Sequence, residues 1–549
     1  MVSYTTFLIQ CLHIIVFIRI TDAAVTDWRV GQIVQTSSGS IKGHAAADAD
    51  EVSEYLGIPY AQPPIDDLRF QPSVRFNGTG LIAATDFGHA CMQPFLSLSG
   101  TGKRQGALSG LGLTDAGIAL LMDYGSTIPS QDEDCLTLNI WTKPQTGDDK
   151  KAVWIHGGGY KTGASGISWY NGQYFADEQD IVLVSFNYRM NIFGFPGNPD
   201  ITGNLGLLDQ RLAIEWIRDN IEGFGGDPDR ITIFGQSAGG SSVDIYSYAW
   251  TDDPIVTGFI SQSGVTTSNS FMDQDTATDQ WQSASSNAGC GSSSDVLSCM
   301  QELPATKVLS AIATEPTWGP VVDDKLVLSD YSTATPANLP MLVGHTDFEP
   351  GLTRALTQFK ATEDVYDAQE QDIFVCPVAA RAQASVQLGA PVWRYRYFGA
   401  FPNTILTDDP PSGAYHTCEL PILFGTVPQS VVTNTDAEND ISSYMRGAWA
   451  AFAKDPQKGL LSYGGGWPQY NANDNTLIRL AYNNQSGTNL DTGNAYDDGC
   501  DADSSTGTPS SPTTTSSPSP TPSNQAGRAT SYSMLYVATG LVVSAFMCM

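Results

Sequence analysis

The apolar residues of this chain fall into short runs that end in glycine-rich or polar turns. Ala152 to Ile155, Ile181 to Ser185, Arg230 to Phe234, Met341 to Val343 and Val392 to Phe398 are dominated by aliphatic, β-branched and aromatic side chains, with little alternation. Such runs predict strands buried on both faces, the pattern of a mostly parallel sheet. Between them the period changes. Leu208, Leu212, Ile214, Ile217 and Ile221 recur at near-helical spacing within 207–221, which predicts an amphipathic helix. Strands alternating with helices make the fold class α/β. No repeat and no low-complexity break interrupts residues 24–502, so they read as one large domain.

The two ends carry different patterns. Phe7 to Ile20 is an apolar run followed by Thr21-Asp22-Ala23, with small residues at both positions of a cleavage site, so residues 1–23 read as a signal peptide. Residues 503–526 are nearly all Ser, Thr, Pro and Gly, a composition that cannot bury a core and suits a glycosylated stalk. Met534 to Met549 is apolar and short for a bilayer span, and Asn524-Gln525-Ala526 offers small residues for a lipid-attachment site. Residues 527–549 therefore read as a removed GPI-anchor signal, with Asn524 as the attachment point and the cell surface or exterior as the destination.

Composition narrows the partners. With 27 Lys and Arg against 58 Asp and Glu, the 549-residue chain has a formal net charge of -31, which excludes a general phosphate-binding surface and hence nucleic acid as a partner. Outside the processed ends seven cysteines remain: Cys91, Cys135, Cys290, Cys299, Cys376, Cys418 and Cys500. Three disulfides and one free thiol suit an oxidising compartment, and spacing nominates Cys290 with Cys299. Asn77-Gly78-Thr79 and Asn484-Gln485-Ser486 are N-glycosylation sequons.

The candidate chemistry begins directly after a predicted strand. Gly235-Gln236-Ser237-Ala238-Gly239 has the form G-x-S-x-G, weak alone in a chain with 53 glycines, but here flanked by a strand and a helix-compatible stretch. In that context it reads as a nucleophile elbow exposing the Ser237 hydroxyl. On such sheets the acid and then the base follow the serine along the chain. Of six histidines, only His345 and His416 lie beyond Ser237 with room for the purpose, and His416 has ample chain before it for an acid. The loop after Met341 to Val343 offers two carboxylates, Asp347 and Glu349. An oxyanion needs N–H donors from two places. Ala238 supplies one, and His156-Gly157-Gly158-Gly159, after the strand ending at Ile155, supplies the others. This chemistry requires no metal and no cofactor, only an ester substrate.

Taken together, these residues resemble the type-B carboxylesterases, a family that includes fungal secreted lipases, cholinesterases and the non-enzymatic neuroligins. Phe224 to Gly240 is similar to the family's serine signature and Glu133-Asp-Cys135-Leu-Thr-Leu-Asn-Ile140 to its second one. Tyr55 to Ala61, Leu68-Arg-Phe70, Gly203 to Gln210 and Gly413-Ala-Tyr-His416-Thr-Cys-Glu-Leu are also similar, so the likeness spans about Val34 to Tyr470. The resemblance implies an α/β-hydrolase fold and a serine carboxylesterase or lipase. It places the acid at Glu349, although the usual Asp-Glu-Gly is here Phe348-Glu349-Pro350, and the oxyanion donors at Gly158, Gly159 and Ala238. It also implies disulfides Cys91–Cys135, Cys290–Cys299 and Cys376–Cys500, a free Cys418, and an ion pair between Arg69 and Glu133. No Trp occurs between Cys91 and Cys135, which disfavours choline esters. Leu113 to Tyr124 reads as a short helix, either a lid over an apolar acyl pocket or ordinary packing. A neuroligin-like adhesive role is the alternative, disfavoured because adhesion needs no serine, histidine, acid and glycine loop together.

Overall fold

The computed structural model describes residues 28–94, 108–143, 150–268, 271–313, 318–357 and 361–500. The signal peptide, the stalk, the anchor segment and Asn524 lie outside the described residues. Strands are numbered along the chain: β1 (Ile33–Thr36), β2 (Gly39–Lys42), β3 (His44–Ala45), β4 (Ser53–Pro59), β5 (Leu81–Ala83), β6 (Thr137–Thr142) and β7 (Lys150–Ile155). They continue as β8 (Ile181–Phe186), β9 (Ile231–Gln236), β10 (Gly258–Gln262), β11 (Met341–Thr346), β12 (Val392–Tyr397), β13 (Asn475–Leu480) and β14 (Leu490–Thr492).

Strands β1, β2 and β5 form a small sheet, and the others form an 11-stranded sheet in the order β14-β13-β12-β11-β10-β9-β7-β8-β6-β4-β3. From β13 across to β8 every pairing is parallel. Antiparallel pairs are confined to the two flanks.

Burial on both faces explains the unbroken apolar runs. Trp154, Phe234, Ile260, Leu342 and Trp393 point into one core. Their strand neighbours Val153, Ile155, Ile233, Phe259, Met341 and Val343 point into the other. The helix Leu205–Asn220, close to the predicted 207–221, lays Leu207, Ala213, Ile214 and Ile217 into that second core. On the first face Trp154 meets Phe234 at 4.9 Å and Phe424 at 5.2 Å between ring centroids. Tilted and edge-on pairs of this kind add about 0.5–1.5 kcal/mol each beyond area burial.

Parallel strands put all their carboxyl ends on one edge, and that edge is where ligands bind in such sheets. The loops after β7, β9, β11 and β12 carry the glycine run, Ser237, Asp347 with Glu349, and His416. The three disulfides Cys91–Cys135, Cys290–Cys299 and Cys376–Cys500 are formed, and Cys418 is buried and free. Arg69 holds Glu133 bidentately at 2.6 and 2.5 Å and turns its remaining nitrogen to the carbonyls of Met300 and Gln301 at 3.0 and 2.8 Å.

The predicted helix near Leu113 to Tyr124 spans Asp115–Ser126. Both ends are tied down. Thr114 caps its start at 2.8 Å and donates to the Ile405 carbonyl at 2.8 Å, while Asp123 accepts from the Ser168 hydroxyl at 2.6 Å. Leu120 and Tyr124 are buried, the latter edge-on to Trp169 at 4.9 Å. This is a packed helix, and opening it as a lid would break each of those contacts. Among the described residues no helix is long and apolar enough to cross a membrane. Of the two sequons, Asn77 is exposed. Asn484 is partly buried and engages its amide with the backbone of Ala400, at 3.1 and 2.8 Å.

Candidate active site

Strand β9 ends at Gln236 and the helix Ala238–Ala249 starts two residues later, leaving Ser237 alone to make the turn. Its backbone sits at φ 56°, ψ −123°, a conformation costing a residue with a Cβ about 1–3 kcal/mol. Every residue from Ile231 to Ser247 is buried except Ser237, which is partly exposed. The fold thus strains one serine to bring its hydroxyl out of an otherwise closed layer.

Glycine makes the turn possible. A methyl group on Gly239 would lie 2.0 Å from the carbonyl oxygen of Ile155, so no other residue lets the elbow approach β7 so closely. Gly158, at φ 117°, faces the same limit, because a Cβ there would lie 1.9 Å from the carbonyl oxygen of Thr162. The glycine loop consequently lies against Ser237. Among the described residues, the N–H groups of Gly158, Gly159 and Ala238 donate to no protein acceptor. Ala238 stands at a helix N-terminus, where the dipole favours negative charge.

The acid and base loops are zipped together by backbone bonds. Phe348 N–H donates to the Ala414 carbonyl at 2.9 Å and His416 N–H to the Glu349 carbonyl at 3.3 Å. In this register the His416 Nδ1–H donates to Glu349 Oε2. Glu349 Oε1 accepts from Thr346 N–H at 2.8 Å, fixing the carboxylate from behind. The rival carboxylate, Asp347, is spent on Arg396 at 2.8 Å, and the rival histidine, His345, is enclosed with its Nδ1 2.8 Å from the Thr346 carbonyl. Of the candidates named from sequence, the structure pairs His416 with Glu349 and sets Ser237 against the glycine loop, His416 reaching the elbow through Gln236, and it leaves Asp347 and His345 outside.

Burial pulls the pKa of His416 down, but the charge and hydrogen bond of Glu349, and then the charge of Glu419, outweigh it, so the imidazole titrates above its usual value. In the resting geometry Nε2 of His416 lies 3.2 Å from Nε2 of Gln236, the residue before the serine. With Nδ1 protonated toward Glu349, that contact is a donation from the Gln236 amide to the ring. Catalytic hydrogen bonds are commonly loose before substrate binds.

Three polar residues around the site were not singled out from sequence. Gln236 is one. Glu419, three residues after His416, is fully buried, and its acid is pushed up to about 7, by burial first and then by the charge of Glu349. It accepts from Gln262 Nε2 at 3.3 Å. Its place inside the Gly413 to Leu420 stretch was the available signal. The third, Glu370, stands in Glu363-Asp-Val-Tyr-Asp-Ala-Gln-Glu370, which reads in sequence as a solvated helix face. Instead it is buried and accepts from Glu349 N–H at 2.7 Å. Burial of Cys418 beside Glu419 pushes its thiol well above the usual range, which leaves it unreactive. Among the described residues no group of three or more His, Cys, Asp or Glu is arranged to hold a metal ion.

A strained serine under a glycine loop, backed by a buried His–Glu pair on a parallel sheet, defines a serine hydrolase of the α/β type. Comparison with known proteins narrows the class: the model of the carboxylesterase family matches residues 30–370 and 355–496, and the chain belongs to that family. It is a hydrolase of carboxylic esters. The chain is 33% identical over 449 residues to a chlorogenic acid esterase of Aspergillus niger, covering 78% of this chain and 84% of that protein. It is 32% identical over 503 residues to secreted lipase 5 of Gibberella zeae, covering 82% and 90%. A more distant likeness, 36% over 250 residues, links it to the acetylcholinesterase of Bungarus fasciatus, covering 44% and 38%.

Proposed function

We propose that Ser237 is the nucleophile, His416 the general base and Glu349 the acid that orients it, with the N–H groups of Gly158, Gly159 and Ala238 as the oxyanion hole. Ser237 Oγ attacks the ester carbonyl carbon while His416 Nε2 takes its proton, the Gln236 amide giving way. The tetrahedral oxyanion is held by the three N–H groups, which cost no reorganisation because they already lack partners. Collapse expels the alcohol, which leaves with the proton held by His416, and an acyl group remains on Ser237. Water then attacks the acyl carbonyl, its proton passing through His416 back to Ser237 as the carboxylic acid departs.

The observation that carries this reading is the partly exposed, strained Ser237 at the glycine loop, where among the described residues three N–H groups have no protein acceptor, with a buried His–Glu pair one residue away at Gln236. The substrate we assign is a carboxylic ester, of a small molecule or a lipid. The enzyme acts outside the cell: a signal segment at 1–23 and three disulfides support export. Glycosylation falls on Asn77, and the Ser/Thr/Pro stalk with a lipid anchor at Asn524 holds the domain at the surface, from which phosphatidylinositol-specific phospholipase C would release it.

The test is hydrolysis of p-nitrophenyl esters over an acyl-chain series by the purified protein, with labelling by an organophosphonate. Ser237→Ala is expected to fold, to take no label and to lose on the order of 10⁶-fold in kcat, as nucleophile removal does in other serine hydrolases. A wild type that neither turns over any ester nor takes the label would refute the assignment.

A further inference from the structure

Behind the acid the structure holds an arrangement that ordinary packing does not explain. Glu370 is buried, with its carboxyl group set against the backbone of Glu349. Its Oε1 pairs with Arg396 Nη2 at 3.6 Å and faces His345 Nδ1 at 3.7 Å, charge contacts longer than a hydrogen bond, and among the described residues it accepts no hydrogen bond. Burying a carboxyl group is costlier than burying an apolar side chain of the same volume. Burial first, and then the charge of Glu349, pushes the Glu370 acid well above the usual range. Its one bond is the 2.7 Å acceptance from Glu349 N–H.

The helix that carries Glu370 is built around the same place. It runs from Glu363 to Gln387, with a π-helical turn at Gln371–Val375 inserted directly after Glu370. Such turns cost regular hydrogen bonding and occur disproportionately at functional sites. On this one, Phe374 sets its ring 5.4 Å from the His416 imidazole. At the next residue, Cys376, the helix is bonded to Cys500. One stretch of chain therefore touches the acid through Glu370 and the base through Phe374, and is fastened just beyond both.

We propose that Glu370 is a positioning residue for ester hydrolysis, its Oε2 holding the Glu349 backbone N–H so that the acid, and through it the imidazole, keeps its attack geometry. The inference rests on the reading of Glu349 and His416 as acid and base. It does not require Glu370 to be charged. Glutamine, neutral and of the same shape, keeps an acceptor oxygen, whereas leucine keeps the volume and removes the acceptor.

The experiment measures kcat and KM for a p-nitrophenyl ester, together with thermal midpoint, for wild type, Glu370→Gln and Glu370→Leu. Expected is a kcat for Glu370→Gln within about threefold of wild type and a loss on the order of 10²-fold for Glu370→Leu, the scale of a misplaced catalytic group, with KM within about twofold. A Leu variant with wild-type kcat, a Gln variant as damaged as Leu, or a loss confined to KM would overturn the proposal. If the Leu variant does not fold, Glu370→Asp decides: drawing the acceptor back by about 1.5 Å, one carbon–carbon bond, is expected to lower kcat about tenfold, and an unchanged kcat overturns the proposal. An active enzyme indifferent to these changes refutes the role of Glu370 alone, whereas a wild type with no ester turnover overturns this inference and the site assignment together.

Discussion

The two halves of the site are built from different materials. Around Ser237 the work is done by backbone: a strained φ, glycines where a methyl group would collide, and N–H groups left unpaired. Around His416 it is done by buried carboxyl groups: Glu349 on the ring, Glu419 nearby, and Glu370 behind Glu349. Backbone devices are rigid and hold their geometry without a counter-ion. Charges in a low-dielectric interior act over several ångströms, and each one alters the proton affinity of the next. Under the roles proposed above, the first half fixes where a bond is made, and the second sets the pH at which the proton can move.

Substitutions can separate the two. The largest effect is expected at Glu349→Gln, which leaves Thr346 N–H an acceptor but takes away the charge that orients and stabilises the imidazolium. The loss should be on the order of 10⁴ in kcat, with Asp347→Asn nearly silent. Equal losses at both positions, in steady-state kinetics, would show that Asp347 shares the role despite its bond to Arg396. On the backbone side, Gly239→Ala drives a methyl group against the Ile155 carbonyl and should cost about 1–3 kcal/mol in denaturant unfolding, with a fall in kcat as the elbow and glycine loop move apart. Unchanged stability would mean that the layer is looser than it looks. The smallest effect is a shift of pH. His416 must be neutral to act, so activity falls as pH drops through its raised pKa. Removing the nearby charge with Glu419→Gln lowers that pKa and should move the acidic limb of kcat/KM to lower pH. A limb that stays in place or moves upward would show that Glu419 carries no charge where the limb lies.

The same division explains what could be read from the amino-acid string. A glycine that must be glycine, a serine between a strand and a helix, and an apolar run buried on both faces are local facts, so the sheet, the elbow and the glycine loop were legible. The acid was less so. From the residues alone Asp347 and Glu349 were equal, and only family resemblance preferred Glu349. The difference lies in Arg396, one strand away, which occupies Asp347. Glu370 was illegible for the same reason, since nothing in its polar helical surroundings marks a side chain that turns inward to a loop after β11. The helix at Asp115–Ser126 was legible as a helix, but its anchoring depends on Ile405 and Ser168, far away in sequence. At Asn484, likewise, the sequon gave no sign that Ala400 holds the amide.

The bond between Cys376 and Cys500 joins residues 124 apart in sequence, and His416 lies within that ring while Ser237 and Glu349 lie outside it. By the chain-entropy estimate a closure of this length stabilises the fold by roughly 5 kcal/mol. It also changes what a protease can do. A single cut anywhere between those cysteines opens the ring without producing a free fragment, so the segment bearing His416 stays covalently attached to the rest. After such a cut, damage in this region is a nick rather than the loss of a piece, and reduction or a second cut must follow before His416 can leave.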